Sequence, residues 1–118
     1  MKQLFLISCL VLLSVTAMAQ ESKVKKNKNA QYEITVAGNC DMCKKRIEKA
    51  AYSVKGVKKA QFHADHFDVH LVIDENKCTL LDVKKAIAKA GHDTDTVKAD
   101  DVTYNNLHHC CKYERLVE

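Results

Sequence analysis

Residues 32–43 read YEITVAGNCDMC and join two different periodicities. Apolar and polar side chains alternate from Tyr32 to Val36, which is the two-residue period of a strand with one buried face. Gly38 then permits a tight turn, and Cys40 and Cys43 stand at the start of an amphipathic helix pattern. The sequence therefore predicts two soft sulfur ligands at a strand-to-helix turn, where the first helical N–H groups and the helix dipole stabilise a thiolate.

Outward from this turn, the hydrophobic pattern continues in a regular order that predicts the fold class. Strand, helix, strand, strand, helix and strand follow one another, which is the order of the ferredoxin-like βαββαβ sandwich. We therefore expect an α+β fold, with an antiparallel four-stranded sheet and two helices on one of its faces. After the first strand, the predicted elements are a helix over 42–54, strands over 57–64 and 67–73, a helix over 80–90 that is capped by Thr79 and closed by Gly91, and a short strand over 94–98.

Residues 34–98 resemble a heavy-metal-associated domain, the fold of copper chaperones, periplasmic mercury-binding proteins and the N-terminal modules of metal-pumping ATPases. The resemblance rests on the Cys-x-x-Cys motif, the element order and Lys-Gly-Val at 55–57. The family usually has Gly-Met-x-Cys-x-x-Cys, whereas here the loop is one residue shorter and Met42 lies between the cysteines. The resemblance implies that Cys40 and Cys43 bind a soft metal ion and transfer it to a membrane metal transporter or another metallochaperone.

The number of sulfur ligands favours Cu(I) as the ion. Two thiolates suffice for Cu(I), whereas Zn(II) prefers four ligands. Hg(II) and Zn(II) stay open as alternative cargo for a scavenging protein. Polar Asp41 and Lys44 predict an exposed loop and a shallow site. Lys44 and Lys45 would offset the charge of a bis-thiolate complex and face a partner, although a solvated first helical turn explains them equally well.

A Cys-x-x-Cys motif also occurs in thiol-disulfide oxidoreductases, which use a dithiol with a depressed pKa. Thioredoxin-like enzymes place a cis-proline against the dithiol, and this sequence has no proline and no tryptophan. A structural disulfide between Cys40 and Cys43 is a third reading. The sequence shows no Ser/His/Asp or paired-carboxylate arrangement, so we expect a binding protein and not an enzyme.

His92 is a candidate third ligand because it follows Gly91 in the loop before the fourth predicted strand. In the resembling family this loop lies beside the metal loop, so an imidazole here could complete the site. A surface loop histidine is the alternative.

The tail over residues 100–118 is rich in cysteine and histidine and forms a candidate secondary site, made of His108, His109, Cys110 and Cys111. Its apolar residues fall at helical spacing, which predicts an amphipathic helix in which a cysteine packs as a small apolar residue. Neighbours on a helix point about 100° apart, so all four side chains reach one ion only if the segment is irregular. The two other arrangements are a separate weak site, or one or two of the four reaching the Cys40/Cys43 loop.

The N-terminus has the pattern of a secretory signal peptide over residues 1–19. A short basic start precedes an apolar run over 4–15, and Ala17-Met18-Ala19 forms a small-x-small cleavage signal. The run is shorter than the ~20 residues that cross a bilayer. We expect cleavage after Ala19 and a periplasmic or otherwise exported protein with a polar basic arm over 20–31, a heavy-metal-associated domain over 32–99 and the tail.

Charge and cysteine count limit the remaining classes. The net charge is +4, and the lysines are spread over several segments with acidic residues between them, so we expect no nucleic-acid partner. Loss of Cys9 with the signal peptide leaves five of the six cysteines. Because an odd number cannot pair fully within one chain, at least one thiol is free, bridges two chains or binds metal. We expect a monomer, or a dimer bridged by metal.

Overall fold

The computed structural model describes residues 25–116 and contains a three-stranded antiparallel sheet and two long helices. The predicted signal peptide lies outside the described residues. In chain order the elements are β1 (Ala30–Thr35), α1 (Asp41–Tyr52), β2 (Val57–His63), β3 (Asp68–Ile73), α2 (Leu80–Lys89), α3 (Asp101–Asn105) and a 3₁₀ turn at His109–Cys111.

The core lies between the sheet and the helices α1 and α2. The strand order is β1-β3-β2, and Val69 of β3 is opposite both Ile34 and Phe62. These three apolar side chains are buried together with Ile47 of α1 and Ile87 of α2, because alternate strand residues and one helix face point inward. The α+β, ferredoxin-like fold class predicted from the sequence is confirmed.

The fourth predicted strand, 94–98, is reduced to a single bridge between Val36 and Thr94. A local turn replaces the ladder. The Thr94 N–H donates to the Val97 carbonyl at 2.8 Å, and the Val97 N–H donates to Thr94 Oγ1 at 2.9 Å. A threonine hydroxyl that accepts from its own neighbourhood offers the backbone an alternative to strand pairing. The sheet therefore has three strands in the described part of the chain, not the predicted four.

The C-terminal tail is helical only in part, since α3 ends at Asn105 and the chain then turns back across the body of the protein. Leu107 packs against Gly91, whose φ of +111° is a conformation that favours glycine; a Cβ at Gly91 would lie 2.9 Å from Leu107 Cδ2. The amphipathic helix, one of the alternatives for the tail, forms only over α3, because the following residues make contacts with the body of the protein that a helical repeat would not allow.

Two tail side chains fix the end of the described chain, and we call these contacts the latch, formed by Tyr113 and Arg115. The Tyr113 hydroxyl donates to the Gly91 carbonyl at 2.6 Å and accepts from the Asp93 N–H at 2.9 Å. Arg115 donates two hydrogen bonds to the Asp93 carboxylate, at 2.8 and 3.1 Å. Asp93 is fully buried, so this bidentate ion pair is well shielded from water.

Among residues 25–116, the helices are too short or too polar to cross a lipid bilayer.

Candidate metal centre

The loop between β1 and α1 brings the two motif cysteines together. Cys40 is the N-cap of α1, and its Sγ accepts from the backbone N–H of Cys43 at 3.4 Å. The Cys40 and Cys43 Sγ atoms lie 3.2 Å apart. Within the same loop, Cys43 Sγ donates to Asn39 Oδ1 at 3.4 Å. The sulfurs therefore converge at a helix N-terminus, as the residue spacing predicts.

The tail places two more sulfurs against this pair. Cys111 Sγ lies 3.3 Å and Cys110 Sγ 4.0 Å from Cys40 Sγ, and the two tail sulfurs are 3.7 Å apart. Cys40, Cys110 and Cys111 form a group whose ligand atoms all lie within 4.8 Å of one another. We call Cys40, Cys43, Cys110 and Cys111 the sulfur cluster. All of its members are free thiols.

Half of the sulfur cluster is buried and half is partly exposed. The site is therefore less shallow than the sequence predicts, although the loop is exposed at Asp41 and Met42 as expected. Cys43 and Cys111 are fully buried, while Cys40 and Cys110 are partly exposed. Cys110 and Cys111 of the tail cover one side of the loop. On the side of the loop that faces the core, Gly38 brings the backbone close to other residues, since a Cβ there would lie 3.1 Å from Phe62 Cζ and 3.2 Å from Cys43 Cβ. A side chain at this position would require its neighbours to shift by a few tenths of an ångström.

The thiols of the sulfur cluster differ in acidity. Burial alone would raise the pKa of Cys40, but hydrogen bonds from the Cys43 thiol and N–H and from the two tail thiols lower it to about 7. Burial raises the pKa of Cys43 to about 12 and that of Cys110 to about 11. Cys40 is therefore the thiol that ionises first and presents a thiolate near neutral pH.

This difference predicts the pH dependence of thiol alkylation. In the metal-free reduced protein, iodoacetamide should react fastest at Cys40, and its rate should rise to half of the maximum near pH 7 because only the thiolate reacts. Mass spectrometry of peptides after short exposures measures the rate for each cysteine. A first reaction at Cys43, or a midpoint near the ordinary thiol value of about 8.5, would contradict this arrangement.

The two lysines predicted to face a partner have different environments. Lys44 Nζ lies 2.6 Å from Glu48 Oε1 and donates to the Phe62 carbonyl at 2.9 Å, so it ties α1 to β2. Lys45 is exposed and has the position expected of a partner-facing charge.

His92, the candidate third ligand, is buried beneath the tail. Its Nδ1–H donates to the Ala37 carbonyl at 2.9 Å, and its ring stacks on Tyr113 with 5.3 Å between centroids. Burial lowers its pKa, so the ring is neutral. In the described residues it does not belong to the group of side chains that could share an ion with Cys40. The structure gives His92 a supporting place between the metal loop and the latch.

Two further donors, an imidazole and a thioether, lie beside Cys110 at the edge of the sulfur cluster. His108 Nδ1 is 3.1 Å and Met42 Sδ is 3.5 Å from Cys110 Sγ. The His109 ring contacts the ring of His108 at a centroid distance of 4.2 Å. Of the four predicted tail candidates, Cys110 and Cys111 are brought to the motif, and His108 lies beside Cys110.

Sequence reasoning missed the residues that hold the tail in place. These residues are Tyr113 and Arg115 of the latch and their partner Asp93. Asn39, which accepts a hydrogen bond from Cys43, was missed as well. Alternation of Tyr113 and Arg115 next to the cysteines is the one sequence signal for an extended, docked segment.

A second cluster of potential ligands lies on the outer face of the sheet. His63, Asp68 and His70 have ligand atoms within 4.8 Å of one another, and His63 Nδ1 lies 3.0 Å from Asp68 Oδ1. Imidazole and carboxylate suit divalent Zn or Cu better than Cu(I). This cluster is a competitor in any titration with a divalent ion.

No protein-family model matches the sequence. The copper chaperone CopZ of Staphylococcus haemolyticus is 34% identical over 61 residues, which cover 51% of this chain and 90% of that protein.

Solved structures show the same fold. A CopZ metallochaperone has a TM-score of 0.53 at 29% identity, over 55% of this chain and 98% of the other. A copper binding domain from HMA7, a P-type ATPase, has a TM-score of 0.53 at 29% identity, over 55% of this chain and 89% of that one. A putative copper-ion-binding protein from Bacillus anthracis has a TM-score of 0.54 at 26% identity, over 57% and 96%. Sequence identity over nearly the whole length of a relative, the shared fold and the paired cysteines at the first helix together show that this chain belongs to the heavy-metal-associated domain family.

Proposed function

We propose that this protein binds one soft metal ion, Cu(I), through Cys40 and Cys43 and passes it to a partner by thiolate exchange. The observation that carries the proposal is the convergence of these two sulfurs to 3.2 Å at the N-terminus of α1, in a chain of this family. Thiolates are soft ligands that suit Cu(I), and a pair of them suffices for this ion, whereas Zn(II) prefers four ligands. The similar proteins described above include a copper chaperone and a copper binding domain of a P-type ATPase.

The partner in this proposal is a membrane metal transporter that carries a domain of the same kind, or another metallochaperone. The copper binding domain of a P-type ATPase has the same fold, so the two sites could approach through similar loops. Lys45, exposed on the first turn of α1, provides a positive charge beside the loop. We further propose that the exchange takes place after export, directed by the predicted signal peptide.

Dithiol redox catalysis is the competing function of the same pair, and our proposal needs no enzymatic turnover. The buried Cys43 and the covering tail leave little room for a protein disulfide to reach the pair. Metal exchange can begin at the partly exposed Cys40, when a thiolate of the partner takes its place on the ion.

Competition with a chromophoric Cu(I) chelator tests the proposal. The reduced protein, kept without oxygen, should remove one Cu(I) per chain from the chelator. The same sample should not accelerate the reduction of insulin disulfides above the rate with dithiothreitol alone. Insulin reduction that depends on Cys40, without capture of Cu(I), would replace the carrier function by an oxidoreductase function.

A further inference from the structure

The tail reaches the metal loop across a long stretch of sequence. Cys111 Sγ is as close to Cys40 Sγ, at 3.3 Å, as the motif partner Cys43 is at 3.2 Å, although 71 residues separate Cys40 from Cys111. Burying thiols from two distant segments side by side has a free-energy cost, because it removes polar groups from water. The contacts that hold the tail on the domain must offset this cost. The tail cysteines are therefore placed by the fold.

The separations among Cys40, Cys110 and Cys111 fit a single ion. A tetrahedral site with metal–sulfur bonds of about 2.3 Å has sulfurs about 3.8 Å apart. Cys40 Sγ lies 3.2, 3.3 and 4.0 Å from the sulfurs of Cys43, Cys111 and Cys110, and the two tail sulfurs are 3.7 Å apart. Cys43 lies outside the group whose ligand atoms are all within 4.8 Å of one another, so its side chain must move toward the tail sulfurs when all four bind one ion.

The latch explains why the tail cysteines stay at this place. Tyr113 is two residues after Cys111, is nearly fully buried, and contacts both Gly91 and Asp93 through its hydroxyl. Arg115 adds the bidentate ion pair with the buried Asp93. Tyr104 donates to the Tyr113 carbonyl at 2.6 Å and so joins α3 to the same unit.

We propose that Cys110 and Cys111 bind the same ion as Cys40 and Cys43, so that the docked tail converts an open two-thiolate transfer site into a closed site with up to four sulfurs. Cu(I) uses two or three of these sulfurs, and Zn(II) or Cd(II) uses four. The inference rests on the proposed function and adds a means of retention to it. Each thiol loses its proton to water as it binds the ion. Release to a partner then requires withdrawal of the tail, which leaves the ion with the two sulfurs that the family motif supplies.

Cd(II) is the probe that tests the number of sulfurs, because its ultraviolet charge-transfer band arises from thiolate ligands and not from His63, Asp68 or His70. The reduced protein is loaded with one equivalent of Cd(II), and the band per bound ion is compared with that of the double variant Cys110→Ser/Cys111→Ser. We expect the band to fall about twofold, as four thiolates become two. Release of Cu(I) to an excess of chelator should become at least about tenfold faster in the double variant, since two ligands have been lost.

Two controls make the result decisive. Cys78→Ser removes a buried thiol outside the sulfur cluster and should leave both quantities unchanged. X-ray absorption of Cd(II) in the unaltered protein counts its sulfur neighbours without any substitution, so the test does not depend on the folding of the double variant. Four sulfurs support the proposal.

A count of two sulfurs, with an unchanged band in a folded double variant, would overturn the tail proposal and leave the carrier function intact. Failure of the unaltered protein to bind Cu(I) or Cd(II) at all would overturn the proposed function itself, and the tail proposal with it.

Discussion

Replacing Cys40 by serine is expected to weaken Cu(I) binding by more than about 100-fold, which is the upper end of losses seen for residues that only support metal ligands. Cys40 Sγ is the shared neighbour of the other three sulfurs, all within 4.0 Å of it. Burial alone would raise the pKa of Cys40, but hydrogen bonds to neighbouring thiols lower it to about 7. Competition with a chromophoric chelator measures the loss.

Cys78→Ser is the matched control for this substitution. Cys78 packs in the core outside the sulfur cluster, and its Sγ donates to the Asp74 carbonyl at 3.8 Å. Its removal should leave Cu(I) affinity unchanged. Equal affinities for Cys40→Ser and the unaltered protein, with both folded by circular dichroism, would show that the ion is bound elsewhere.

Removing the latch cation should cause the largest loss of stability. In Arg115→Ala the free energy of unfolding should fall by about 3 kcal/mol, because the Asp93 carboxylate stays buried without its partner. Urea denaturation measures the change. Alkylation of Cys111, which is fully buried when the tail is docked, should accelerate in the same variant.

The pH dependence of the latch follows from Asp93. Burial alone would raise the pKa of this carboxyl, but hydrogen bonds from Arg115 and from the Ala99 N–H lower it below its ordinary value. A lowered pKa in the folded protein means that the pair stabilises the fold above about pH 4, and that the stabilisation is lost as the pH falls through the folded value. Lys112→Ala, at an exposed tail position, is the control that should leave stability unchanged. Equal urea midpoints for Arg115→Ala and Lys112→Ala would contradict a docking role for the latch.

The part of the fold that sequence predicts well is the part whose signals are local. The alternation before Gly38 and the helical repeat after Cys40 lie within a few residues of each other, so they specify β1, the turn and α1 without help from distant contacts. The fourth strand failed as a prediction because one hydroxyl, that of Thr94, captures the backbone of Val97. The pattern of apolar residues does not indicate whether this segment forms a turn or pairs as a strand.

The same distinction explains the metal centre. The motif alone predicts that Cys40 and Cys43 converge, because residues three apart at a helix start face each other. The positions of Cys110 and Cys111 depend on two contacts of the tail. Arg115 pairs with Asp93, which is 22 residues away, and the Tyr113 hydroxyl donates to the Gly91 carbonyl. Pairings of this kind are long-range events that periodicity does not encode.

The sealed position of Cys78 gives the protein a built-in reporter of whole-molecule opening. It is 6% exposed between Gly56 and α2, where it lines a pocket with Tyr32 and Glu75, so its protection depends on the packing of the domain and not on the tail. Cys111 is buried by the docked tail segment to which it belongs. Labelling of the two sulfurs in one sample therefore distinguishes opening of the domain around Cys78 from lifting of the tail.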